Sequence, residues 1–171
     1  MNRVLLLDRS GSMNTCREDT IGGFNAFIET QKQHGGTMTL CLFDHEFQTV
    51  YEKMPIEDVP PLQFVPRGST ALYDAIGNVL KMDLTGDVMV VILTDGEENA
   101  STKYTAEHIK DLIELKPWTF VYLGANQDAV LNSSRIGIRK SLGFDTRETP
   151  EVFRTLSEAM SNYSTNGQLE I

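Results

Sequence analysis

The run Val88 to Leu93 (VMVVIL) is apolar throughout and is closed by Thr94-Asp95-Gly96. A run this short and continuous offers no polar face to water, so it predicts a strand covered on both sides, as in parallel sheets. Val4 to Leu7 repeats the pattern and closes on Asp8. Between such runs, apolar residues fall at helical spacing. Ile21, Phe24, Phe27 and Ile28 lie between Asp19 and Gln33, ahead of the Gly35-Gly36 stop, and Leu72, Ile76, Val79 and Leu80 lie between Ala71 and Met82. Tyr104 to Leu115, Gln127 to Ile136 and Pro150 to Tyr163 read as further helices, the last capped by Thr149. Trp118 to Leu123 adds a strand, and Ile138 to Leu142 a weaker one. Thr37 to Phe43 and Glu46 to Tyr51 alternate at strand period across a tight Asp44-His45 connection, which predicts an antiparallel neighbour at one edge.

Strands that alternate with helices predict a three-layer α/β/α, doubly wound fold, with a mostly parallel central sheet and one antiparallel edge strand. The 171 residues suit one domain, expected over 1–163 with a frayed polar tail over 164–171. Met54 to Pro66 holds four of the six prolines and reads as an ordered return loop, not a linker. A core of this size folds without staples, so a metal here need not be structural.

Charge narrows the partners. Fifteen Lys and Arg against 24 Asp and Glu give a net charge of -9, which opposes nucleic acid, whose binding rests on basic patches. No apolar stretch approaches the ~18 residues that cross a membrane, so no membrane partner is expected. Cys16 and Cys41 form neither a disulfide framework nor a zinc quartet and suit a reducing compartment; with no leader pattern, the expected location is cytoplasmic. His34, His45 and His108 are scattered and read as surface residues.

In doubly wound sheets, ligands bind beyond the carboxyl ends of the strands. Two buried strands here end in aspartate. Asp8-Arg9-Ser10-Gly11-Ser12 sets a carboxylate and two hydroxyls on one turn, with Gly11 letting the backbone wrap. Hydroxyls with few carboxylates and no Cys or His form a hard-oxygen set, which favours Mg²⁺ or Mn²⁺ over Zn²⁺ or a Ca²⁺ cage. Asp44 and Asp74 are candidates to orient the site, or else caps or solvated charges, while Glu97, Glu98 and Asn99 read as a solvated rim and Asn126 and Asp128 as helix-cap residues.

The D-x-S-x-S of Asp8 to Ser12, Gly68-Ser69-Thr70-Ala71 before a helix, and Thr94-Asp95-Gly96 after a buried strand together resemble the von Willebrand factor A domain with its metal-ion-dependent adhesion site. Asp8 to Phe27, Pro66 to Ile76, Leu93 to Ser101 and Tyr122 to Asp128 look like the small stand-alone A-domain proteins of bacteria and their phages. The resemblance implies that Ser10, Ser12 and Thr70 ligate a metal directly or through water, while Asp8 and Asp95 hold it mostly through waters or by fixing the hydroxyls. It also implies Mg²⁺ or Mn²⁺ as the cofactor, and a protein partner that presents Asp or Glu to the metal.

An enzyme is the less favoured expectation. No G-x-S-x-G elbow or phosphate loop is present, and Ser10 stands where a dehalogenase-type phosphatase would place an acid or comparable group. The expected function is therefore a non-enzymatic, metal-dependent protein-binding module. The alternatives are a metal-dependent hydrolase or phosphatase, and a homo-oligomeric assembly protein using the same site.

Overall fold

The computed structural model describes residues 1–171. Its sheet has six strands in the order β3-β2-β1-β4-β5-β6. They are β1 (Asn2–Asp8), β2 (Thr37–Phe43), β3 (Phe47–Pro55), β4 (Val88–Thr94), β5 (Thr119–Ala125) and β6 (Lys140–Phe144). Every pairing is parallel except β2 with β3, where the two-strand unit turns back on itself to make the antiparallel edge.

The continuous apolar runs explain why β1 and β4 are central. All seven residues of β4 are buried, and odd and even positions feed different cores. Leu5, Leu7, Met89, Val91 and Leu93 face α1 (Arg17–Gln31) and α5 (Thr149–Asn166). Val4, Leu6, Val90 and Ile92 face α2 (Leu72–Leu80), α3 (Ala106–Glu114) and α4 (Ala129–Arg135). With helices on both faces, the three-layer architecture is as the alternation of runs predicts. No helix is long and apolar enough to cross a membrane.

Several bounds differ from their sequence expectations, each for a local reason. Residues Gly11–Cys16 wind as a tight 3-10 turn, so α1 begins at Arg17 and ends at Gln31, not at Gln33. The caps of α3 and α4 are Thr105 and Asp128, whose side chains accept the His108 and Leu131 amides; both helices therefore start later than the apolar pattern. Thr149 lies inside α5, and the cap belongs to a preceding turn in which Asp145 and Glu148 form a reciprocal capping box. At its other end α5 runs past Tyr163 to Asn166, where Gly167 takes a left-handed conformation at φ 73°. The last residues are not simply frayed. Leu169 is buried, and its carbonyl accepts a hydrogen bond from Lys140 Nζ at 2.8 Å.

Strand order reverses between β1 and β4, since the chain leaves β1 toward β2 on one side and returns to β4 on the other. The carboxyl ends of these two strands flank the crevice that such a reversal opens.

Candidate metal site

Asp8 ends β1 with its side chain wholly buried. Its Oδ1 accepts the Ser10 amide at 2.6 Å, and its Oδ2 accepts Thr94 Oγ1 at 2.7 Å. The first bond wraps the turn, and the second ties the end of β1 to the end of β4. Ser10 is buried, with its hydroxyl 3.3 Å from that of Ser12, and Ser12 Oγ donates to Asp95 Oδ1 at 2.8 Å. Thr70 is also buried. An ideal Cβ built on Gly96 would lie 3.0 Å from Thr70 Oγ1, 3.7 Å from Asp8 Oδ2 and 3.8 Å from Ser10 Oγ. These oxygens therefore surround one small space that only the absence of a side chain at Gly96 leaves clear. All five residues singled out from sequence come together here.

Two carboxylates share this cradle, and neither faces a cation of the protein. Burial raises the Asp8 pKa above the ordinary carboxylate range, despite the hydrogen bonds from Thr94 and Ser10 that favour its charged form. Burial likewise pushes Asp95 up to about 6; the bond from Ser12 lowers it and the nearby charge of Asp8 raises it again. A divalent cation would relieve both effects. The donors are carboxylate and hydroxyl oxygens, and no group of three or more His, Cys, Asp or Glu side chains is placed to hold a metal ion. Such a set fits a hard cation that keeps waters, rather than a nitrogen or sulfur site.

The loops are held by one another's backbone. Arg9 N donates to Phe43 O, Arg67 N to Arg9 O, and Gly11 N to Gly68 O, while Ala71 N donates to Asp44 O. The amides of Asn99 and Ala100 both donate to Thr70 O, and Asn99 Oδ1 accepts the Thr70 amide at 2.9 Å. Thr70 is thus clamped from the loop that carries Asp95. Glu98 joins the same clamp: its carboxylate accepts the Tyr73 amide at the start of α2 and the amides of Ala100 and Ser101.

This corrects the reading of Glu98 and Asn99 as a solvated rim, although the Asn99 residue itself remains exposed. No spacing rule finds such a role, because the partners lie 25 and 29 residues away. Asp74 stands apart from the cradle. Its carboxylate caps the backbone of Thr102, Lys103 and Tyr104.

Asp44 also serves the frame. Its buried side chain accepts Arg67 Nε at 2.7 Å and lies 3.2 Å from Arg9 Nε. Burial opposes its ionisation, but the Glu46 amide and the two guanidiniums outweigh that and lower its pKa. His45, expected to lack an acid partner, stands half-exposed with Nδ1 3.6 Å from Asp44 Oδ1.

No protein-family model and no curated protein matches the sequence. Solved structures do match it in shape. The ArnB paralog VWA2 from Sulfolobus acidocaldarius is 17% identical, with a TM-score of 0.69 over 93% of this chain and 44% of its own. Proximal thread matrix protein 1 of the mussel byssus, in a form whose metal-ion-dependent adhesion site is occupied by zinc, is 15% identical, with a TM-score of 0.68 over 94% of this chain and 47% of its own. BatB from Bacteroides thetaiotaomicron is 16% identical, with a TM-score of 0.64 over 97% of this chain and 100% of its own. The chain spans less than half the length of the first two and the whole of the third. At these identities the shared property is the fold, which is that of von Willebrand factor A domains.

Proposed function

We propose that this protein is a non-enzymatic protein-binding module that holds Mg²⁺ or Mn²⁺ at Asp8, Ser10, Ser12, Thr70 and Asp95 and captures an Asp or Glu carboxylate of a partner protein. The observation that carries the reading is the cradle beneath Gly96, where Thr70 Oγ1, Asp8 Oδ2 and Ser10 Oγ converge within 4 Å of one point. When bound, the cation supplies an electrophilic centre with a position open to a carboxylate.

The chain's own residues do the rest. Asp8 fixes the turn that presents Ser10, and Ser12 orients Asp95. Asn99 and Ala100 hold the Thr70 backbone so that its hydroxyl faces the cradle. The Asp8 and Asp95 carboxylates repel a third carboxylate when no cation is present and admit one when their charge is offset, so capture depends on the ion. The mussel protein with zinc in its adhesion site supports metal binding on this fold. A hydrolase would need a base poised beside the ion, whereas the carboxylates here are already engaged in building the cradle.

Isothermal titration tests the reading directly. Mg²⁺ or Mn²⁺ should bind the wild type, and Asp8→Ala should lower affinity by at least about a hundredfold, at the upper end of what losing a supporting contact costs. Equal binding by the variant would overturn the site. Turnover of phosphate or carboxylic esters that depends on metal and is abolished in Asp95→Ala would overturn the non-enzymatic reading.

A further inference from the structure

At the opposite end of the sheet lies a cleft of different character. The β4–β5 register sets Met89 beside Thr119 and Thr94 beside Gly124, so Thr119 starts its strand five residues, or roughly 17 Å, from the cradle end. Here α3 and α4 flank an open cleft of about 850 Å³. Its floor is apolar: Trp118, Phe120 and Ile138 are nearly covered. Val130 on the α4 wall is 70% exposed.

Lys110, Lys116, Arg139 and Lys140 line the same cleft, with Glu114 its only acid. None of these cations forms an ion pair. Lys116 Nζ lies 4.4 Å over the Trp118 ring, and Lys140 donates only to the Leu169 carbonyl. A protein of net charge -9 that gathers unpaired cations around an apolar floor has built a local sink for negative charge.

The combination selects the ligand. A long polyanion would have to run onto the acidic remainder of the surface, which disfavours nucleic acid. A bare inorganic anion would leave Val130 uncovered, whereas an exposed apolar group rimmed by charge marks a protein contact. We propose that this cleft docks a short acidic segment of a partner protein, with an apolar side chain on the Trp118 floor and flanking Glu or Asp side chains meeting Lys110, Lys116 and Arg139. The site needs no metal and stands independently of the cradle.

The experiment titrates a synthetic peptide alternating Glu with Phe and Leu into the full chain in EDTA, followed by Trp118 indole and backbone NMR signals. The expected result is saturable shifts at Lys116 to Thr119 and Ser133 to Ser141. Affinity should fall several-fold as salt rises from about 50 to 300 mM, as the Debye length shortens. The exposed double variant K110E/R139E should lose about tenfold in affinity, as two reversed rim charges would give, with an unchanged melting temperature. Asp8→Ala should bind the peptide as wild type does, so failure of the metal site and failure of this one are told apart.

The proposal is overturned if wild type shows no shift at these signals, if K110E/R139E binds equally well, or if the shifts appear only with Mg²⁺. It is also overturned if inorganic phosphate or an oligothymidylate binds the cleft more tightly than the peptide.

Discussion

The two ends of the sheet hold charge in opposite ways. At the carboxyl end of β1 and β4, short side chains and backbone amides lock one another in place, and Asp8, Ser10 and Thr70 are almost entirely buried. At the amino end of β5 and β6, long basic side chains ring an apolar floor with no ionic partner. Positions in the first end are fixed by hydrogen bonds. In the second they are set only by which elements the cations stand on. The first end suits an ion with strict geometric demands, and the second suits a deformable chain. The contrast makes substitutions at the cradle costly and those at the cleft mild.

The largest test of that contrast is Gly96→Ala. Its methyl would meet Thr70 Oγ1 at 3.0 Å with ordinary backbone angles, so the fold should survive while divalent affinity falls by tenfold or more, roughly the loss seen when support of a metal site is disturbed. Calorimetry beside thermal melting reads both; unchanged affinity would mean that the cradle is not where the ion sits. Next comes Asn99→Ala, which leaves the Thr70 amide without its side-chain acceptor and should cost about tenfold in Mn²⁺ affinity. Thr70→Ser should keep binding in an intact clamp where Thr70→Val does not.

A third test uses pH. Folded Asp95 keeps its proton up to about 6, whereas an unfolded aspartate releases its own near ~3.9. The metal-free protein should therefore gain stability as pH falls from about 6 toward 4, and lose it as pH rises through 6. Saturating Mg²⁺ should reverse the trend, because only the ionised carboxylate binds it. Melting temperatures across that range with and without EDTA decide the matter; parallel curves would remove Asp95 from the site. Asp44 has the opposite sign. Its lowered pKa contributes stability above the unfolded value that is lost only on further acidification, outside this window.

The smallest effect is expected of Arg67→Ala. Its half-exposed guanidinium shares Asp44 with Arg9, so the melting temperature should barely move. A large drop would show that Asp44 depends on Arg67 alone.

Much of the fold is legible in the sequence because the central strands carry their burial in unbroken apolar runs. β6 is harder to read: Lys140–Phe144 is short, exposed at Lys140 and Gly143 and only partly buried elsewhere, so its pairing with β5 leaves little pattern. The buried Leu169 escapes for a similar reason, as one apolar residue in a polar tail. At the site, Asp8, Ser10 and Ser12 announce themselves because one turn holds them. Thr70 and Asp95 need the resemblance to known domains to be joined to that turn. Glu98 and Asn99 carry no local signal, since their meaning lies in what they touch after the chain has crossed the sheet. The basic cleft is likewise invisible: its cations come from α3, the turn before β5 and the start of β6, and only folding brings them together.

The backbone bonds that tie the Asp8, Gly68 and Asp95 loops have a kinetic consequence. A socket assembled from sheet ends and mutual amide clamps requires no loop to fold around an incoming ion. Loading would then be timed by how fast the ion sheds its own water, a reluctant step for Mg²⁺. Unloading would leave the frame intact, because the clamps that hold it are made by the chain's own amides and carbonyls.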